Sequence, residues 1–132
     1  MYKRLIYFSI FCVVLLFVCS CQRIDYEKAE EELYEINLLI KDTNFNTGKV
    51  EGDMIFLYNE KNEKVKEVKL NRIFKTNIKS IRKEKNLIYF VLSGSVDDED
   101  GIVFINDNVN DVLDGVKTIK RIGGNSYQYS SN

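Results

Sequence analysis

The chain has 132 residues with a formal net charge of −1, and 45% of its residues are apolar and 30% charged, which predicts one domain. The sequence contains no histidine, and this excludes histidine-dependent triads, zinc sites with histidine ligands and imidazole acid–base catalysis near neutral pH. All three cysteines, Cys12, Cys19 and Cys21, lie in the first 21 residues, so the remainder carries no thiol nucleophile and no disulfide.

The N-terminal residues have the composition of a secretory signal. Lys3 and Arg4 form a short positive region, and residues 5–19 follow as 15 positions without a charge. This stretch has the length of a signal-peptide hydrophobic region and is shorter than the roughly 20 residues of a membrane-spanning helix. The sequence therefore predicts a cleavable signal peptide over residues 1–20. The alternative is an uncleaved signal anchor, because residues 5–21 reach the lower limit of about 17 residues for a tilted span.

The end of this segment, with the sequence VCSC, resembles the lipobox of bacterial lipoproteins. In that motif an aliphatic residue and two small residues precede an obligatory cysteine. The resemblance implies that signal peptidase II recognises Val18, Cys19 and Ser20. Cleavage then leaves Cys21 as the first residue, thioether-linked to diacylglycerol with fatty acyl chains such as palmitate. Two acyl chains anchor a protein stably, and the positive N-terminus stays inside, so we expect the body at the extracytoplasmic face of the cell membrane.

The charges that remain after removal of residues 1–20 are nearly balanced but unevenly distributed. They comprise 17 basic and 20 acidic residues, a net charge of −3, which gives no indication of nucleic-acid binding. Residues 25–35 carry six carboxylates and one lysine, residues 61–85 carry ten basic and three acidic groups, and residues 97–114 carry seven carboxylates and no base. Such segments can neutralise one another by folding together. The alternative is a basic surface that binds anionic lipid or a cell-wall polymer, formed by Lys75, Lys79, Arg82, Lys83 and Lys85.

The first segment after the lipobox, residues 24–41, is predicted to be an amphipathic helix. Its apolar residues recur at spacings of three and four, at Tyr26, Ala29, Leu33, Ile36 and Ile40. Asp25 precedes them and is predicted to cap the helix. The apolar stripe could form a self-associating stalk, or it could pack on the body of the protein. Because only about two and a half heptads fit, fewer than a coiled coil needs, we predict packing on the body and almost no flexible tether.

The remainder, from Gly48 onwards, has short apolar or alternating runs separated by polar turns, which predicts antiparallel β structure. The runs lie at 54–58, 65–74, 77–82, 87–92, 102–105, 116–122 and 127–129. The run at 116–122 is also compatible with a short helix. Residues 94–101 are predicted to be a polar loop.

These elements predict an α+β fold, with an N-terminal amphipathic helix followed by a mostly antiparallel β-sheet of six or seven short strands. The predicted organisation is a lipoprotein signal peptide over 1–20, a lipidated cysteine and helix over 21–47, and an antiparallel β-rich domain over 48–132. No nucleotide-binding alternation of strands and helices, and no phosphate loop, is present in the sequence.

An acidic cluster at residues 97–101, with Asp107 nearby, is the one group of residues in the sequence that could form a catalytic or metal-binding site. Calcium takes six to eight oxygen ligands, and carboxylates beside a glycine suit it. Aligning Gly101 with the invariant glycine of an EF-hand places Val96 at the first ligand position and Asp107 at the last, where that loop has a carboxylate and a glutamate. We therefore predict a solvated loop and no metal site. If a metal were bound, its ligands would be Asp98, Asp100 and Asp107.

The sequence thus predicts a small lipid-anchored envelope protein that acts as a non-catalytic binding or protein-interaction module. Its expected partners are the membrane, through diacylglyceryl-Cys21, and an envelope protein or cell-wall component. No cofactor and no catalytic residue is predicted. Two alternatives are a metal-assisted hydrolase that uses the acidic loop, and an immunity-type lipoprotein that protects the cell at its membrane.

Overall fold

The computed structural model of the protein describes residues 24–95, 98–107 and 117–131. Within these residues the chain forms one helix, α1 (Tyr26–Ile40), and eight strands. The strands are β1 (Thr47–Glu51), β2 (Met54–Tyr58), β3 (Lys64–Lys69), β4 (Ser80–Glu84), β5 (Leu87–Ser95), β6 (Asp98–Ile105), β7 (Lys117–Arg121) and β8 (Ser126–Ser130). They make one antiparallel sheet in the order β3-β2-β1-β4-β5-β6-β8-β7.

The predicted α+β class is therefore wrong, because the described residues are mostly antiparallel sheet with a single short helix and eight strands instead of six or seven. The additional strand is β1, which carries Val50 as its one large apolar residue and buries Gly48 at its other inward position. Without a second apolar side chain it lacks the alternation that marks a strand. The predicted polar loop at 94–101 is also wrong, since Gly94 pairs with Glu99 and Ser95 with Asp98.

The apolar stripe of α1 packs on one face of the sheet, which we call the inner face. Asp25 caps the helix, and its side chain accepts a hydrogen bond from the Lys28 N–H at 3.3 Å. The stripe joins one hydrophobic cluster with buried side chains of four strands, β2, β4, β5 and β6. Full burial of one aliphatic or aromatic side chain contributes roughly 1.5–3 kcal/mol, so the stripe is used within the body and not in a stalk. The fully buried residues of this cluster include Leu33, Ile36, Ile40, Ile55, Leu57, Ile88, Phe90, Ile102 and Phe104.

A second apolar cluster lies on the opposite, outer face, along β5, β6 and β8. It contains Leu87, Tyr89, Val103 and Tyr129, all buried. The rings of Tyr89 and Tyr129 meet edge to face, with centroids 5.2 Å apart. Gly101 gives them room, because a Cβ at that position would lie 3.1 Å from Tyr129 Cε1 and only 2.0 Å from a backbone carbonyl oxygen. The centre of the sheet is thus apolar on both faces.

One polar bridge joins α1 to the sheet inside the first cluster. Asn37 is 1% exposed, and its Nδ2 donates to Asn106 Oδ1 at 2.7 Å while Asn106 Nδ2 donates to Asn37 Oδ1 at 2.9 Å. The Asn106 backbone N–H donates in turn to the Asn86 carbonyl at 2.9 Å. This chain of hydrogen bonds fixes the C-terminal half of α1 against the end of β6 and the β4–β5 turn.

Replacement of Asn37 by alanine tests this bridge. The Asn37→Ala variant leaves the amide of Asn106 without its partner in a partly buried position, and we expect the free energy of unfolding to fall by about 1–3 kcal/mol. Urea denaturation measures the loss. The neighbouring Leu38 is 47% exposed, and Leu38→Ala should cost less than about 1 kcal/mol. Equal losses in the two variants would contradict the assigned role of the bridge.

Candidate functional site

A groove of about 800 Å³ lies at the C-terminal end of α1, where three loops meet. The loops are residues 42–46 after the helix, residues 59–63 between β2 and β3, and the turn between β4 and β5. We call this feature the amide groove, because four asparagines contribute to its wall beside three acidic and three lysine side chains. Its lining comprises Asp42, Asn44, Phe45, Asn46, Asn59, Glu60, Lys61, Glu63, Lys83, Lys85 and Asn86.

The β2–β3 wall of the amide groove is a tight turn organised by Asn59. Its Oδ1 accepts hydrogen bonds from the N–H groups of Lys61 and Glu63, both at 3.0 Å. The Asn62 N–H donates to the Asn59 carbonyl at 3.0 Å. Asn62 adopts φ 62°, in the left-handed region that asparagine tolerates better than most residues. The local sequence therefore fixes this wall without any bound partner.

The inner wall is held by Lys83, which caps the C-terminus of α1. Its Nζ donates to the carbonyl oxygens of Lys41 at 2.8 Å and Thr43 at 2.7 Å, and lies 5.4 Å from the centroid of the Phe45 ring. A positive charge at a helix C-terminus is favourable. Burial lowers the pKa of the Lys83 ammonium from its usual value, while the charge of Asp42 opposes that shift. Lys83 is thus occupied in holding the loop after the helix.

Other side chains of the amide groove are available to a ligand. Within residues 24–95, 98–107 and 117–131, the side chains of Asn44, Asn46 and Lys61 make no hydrogen bond to protein. An amide both donates and accepts, and a lysine supplies three donors. With three carboxylates and three ammonium groups among its lining residues, the groove suits a hydroxyl- and amide-rich ligand better than a polyanion.

The candidate metal ligands Asp98, Asp100 and Asp107 do not lie close together in the structure. Asp98 and Asp100 lie at the beginning of β6, and Asp107 lies beyond its end. At about 3.3 Å per strand residue, Asp100 and Asp107 are roughly 20 Å apart. Asp107 Oδ2 accepts a hydrogen bond from Asn86 Nδ2 at 3.1 Å. Asp100 instead acts on Tyr26, because burial and then the negative charge of Asp100 raise the pKa of the Tyr26 phenol. The described part of the chain contains no group of three cysteine, aspartate or glutamate side chains that could hold a metal ion.

Glu99, which follows Asp98 in β6, lies on the outer face of the sheet and is paired there. Its carboxylate is 13% exposed and pairs with Arg82, and it accepts from Tyr129 Oη at 3.3 Å. The Arg82 guanidinium carbon lies 4.0 Å from the centroid of the Tyr89 ring. Burial, and then the negative charge of Glu99, raises the pKa of the Tyr129 phenol far above its usual value. All four side chains are paired, so we interpret the cluster as structural.

The five basic residues that could form a binding surface are also separated. Arg82 faces outward, Lys83 caps α1, and Lys79 and Lys85 flank opposite ends of β4. Lys75 lies beside the N-terminal half of α1, where its N–H bonds to the helix. The structure does not bring these five side chains to one surface.

The loop at residues 71–77, which we call the flank loop, is tied to α1 by Glu32. The Glu32 carboxylate accepts from the N–H of Lys75 at 2.9 Å, and from the N–H and hydroxyl of Thr76 at 3.0 and 2.8 Å. Arg72 Nη1 lies 3.7 Å from it. Burial opposes ionisation, but the hydrogen bonds and the charge of Arg72 outweigh it and lower the pKa of Glu32 from its usual value of 4.5.

Comparison with protein families, with characterised proteins and with solved structures finds no match for this chain. The predicted lipidation site Cys21, its recognition residues Val18, Cys19 and Ser20, and the signal peptide at 1–20 lie outside the described residues. In the described part, no helix has the length and hydrophobicity that crossing a bilayer requires.

The depressed pKa of Glu32 predicts how stability depends on pH. Because the folded protein favours the carboxylate, Glu32 contributes its full stability above about pH 4.5, and that contribution is lost as the pH falls through the folded pKa. We expect Glu32→Gln to reduce the fall in unfolding free energy between about pH 6 and about pH 3, measured by urea denaturation. Glu60→Gln, at an exposed carboxylate of the β2–β3 turn, serves as the control. The same pH dependence in both variants would refute the anchoring role of Glu32.

Proposed function

We propose that this protein is a lipid-anchored module of the bacterial cell envelope, held at the extracytoplasmic face through Cys21, and that its amide groove binds a cell-wall polymer. The observation that supports this proposal is the position of the groove at the opposite end of α1 from the anchored terminus. A helix of 15 residues is about 22 Å long. The groove is then displaced from the anchor by about that distance.

A short connection between lipid and body supports the same arrangement. Ile24 packs against the main hydrophobic cluster and is only three residues from Cys21. Three residues of extended chain span at most about 11 Å. Lipidation of Cys21 would therefore keep the N-terminal end of α1 close to the bilayer and leave the amide groove accessible from the cell-wall side.

The lining of the groove favours peptidoglycan as the polymer. Peptidoglycan presents sugar hydroxyls and amides together with the carboxylate and ammonium groups of its peptides. The asparagine amides can bond the hydroxyls and amides, while Lys61 and Glu60 offer partners of both charges. A nucleic acid would favour a predominantly basic surface, which this groove lacks.

A paired substitution tests the groove. Asn44→Ala combined with Lys61→Ala removes two side chains that make no hydrogen bond within the described residues, so the fold should persist. Loss of one neutral and one charged hydrogen bond should weaken binding by about tenfold or more. The measurement is co-sedimentation of the full chain with purified peptidoglycan.

The matched control is Lys69→Ala combined with Asn71→Ala, which alters the same residue types at exposed positions outside the groove. Its binding should equal that of the unaltered protein. An equal loss in both pairs, or no co-sedimentation of the unaltered protein, would show that the groove does not bind this polymer.

A further inference from the structure

The flank loop exposes a large apolar side chain close to the anchored terminus. Ile73 is 72% exposed, more than any other exposed large hydrophobic residue of the described part. It stands next to Arg72 and two positions before Lys75. An isolated exposed apolar residue is ordinary, so the argument depends on how the loop holds Ile73 and on where it lies.

The contacts on either side of Ile73 hold it outward. Phe74 packs against the main cluster, and the Arg72 guanidinium carbon lies 4.7 Å from the centroid of its ring. Arg72 Nη2 also lies 3.4 Å from Glu35 on α1. With its neighbours tied to the core and the helix, Ile73 is presented to the surroundings by a fixed segment.

The flank loop also lies beside the point where the chain leaves for Cys21. Lys75, Thr76 and Asn77 line the same cavity of about 480 Å³ as Ile24 and Asp25. Any bilayer that holds the acyl chains of Cys21 is therefore within reach of this loop.

The flank loop also carries an exposed cationic side chain close to Ile73. Lys75 lies two positions after Ile73 and is exposed, and its N–H donates to Glu32 in the N-terminal half of α1. The surface beside the anchor thus carries an apolar tip next to a cationic side chain, a combination typical of interfacial membrane contacts.

We propose that Ile73 inserts into the outer leaflet next to the lipid anchor, and that Lys75 contacts anionic headgroups there. The inference rests on the lipidation of Cys21 proposed above. It makes the flank loop a second membrane contact, which fixes the orientation of the body and keeps the amide groove turned away from the bilayer.

Because the sequence contains no tryptophan, Ile73→Trp supplies a single fluorophore at this position. The full chain is produced in its host, so that any lipid modification is retained, and is added to vesicles of phosphatidylglycerol and phosphatidylcholine with brominated acyl chains, which quench a buried indole. We expect the I73W emission to shift to shorter wavelength and to lose intensity. Val65→Trp is the control, at a residue 46% exposed on the edge strand β3 beside the amide groove, and its emission should not change.

Co-sedimentation of both variants with the vesicles separates the two proposals. If both sediment and I73W is quenched no more than V65W, insertion of the flank loop is refuted while lipid anchoring stands. If neither sediments, the lipid anchoring itself is refuted. Omission of phosphatidylglycerol should reduce the quenching of I73W, and unchanged quenching would contradict the contact assigned to Lys75.

Discussion

The packing of α1 on the inner face of the sheet determines where the other features lie. Its buried side chains hold the helix on the sheet, and the Asn37–Asn106 bridge and the Lys83 cap secure its C-terminal end. A rigid element about 22 Å long then separates the amide groove from Ile24, the first described residue after Cys21. Without this packing, neither the displacement of the groove from Ile24 nor the closeness of the flank loop to the proposed anchor would follow.

Ion pairs join the acidic and basic segments of the sequence in the folded chain. Glu32 and Glu35 of the first acidic segment pair with Arg72 of the basic segment, and Glu99 of the second acidic segment pairs with Arg82. These contacts confirm the expectation that the segments neutralise one another by folding together. The basic side chains are consequently distributed over several surfaces, and the surface next to the proposed anchor is distinguished by the exposed apolar side chain of Ile73.

Elements that depend on the spacing of neighbouring residues can be predicted from the sequence, whereas contacts that depend on strand pairing cannot. The helical periodicity of α1, its Asp25 cap and the apolar runs of the central strands are visible in neighbouring residues. The sequence does not predict β1, because Gly48 occupies one of its two inward positions. The predicted number of strands is therefore too small, and the predicted fold class gives the sheet too little weight. The sequence predicts polar turns at the positions that form the amide groove. These turns lie side by side because Thr47 pairs with both Tyr58 and Arg82, and the sequence does not predict that pairing. The acidic run offers candidate ligands, yet β6 holds Asp98 and Asp100 at its beginning and separates them from Asp107 beyond its end.

The central claim is that an acylated Cys21 begins the mature chain and holds this body at the membrane. Intact mass spectrometry of the protein purified from the membrane fraction of its host tests this claim most directly. The account predicts a chain that has lost residues 1–20 and carries the mass of a diacylglyceryl group, with fragmentation placing that group on the first residue. A chain that retains Met1, or one that begins at Cys21 without acyl groups, would contradict it.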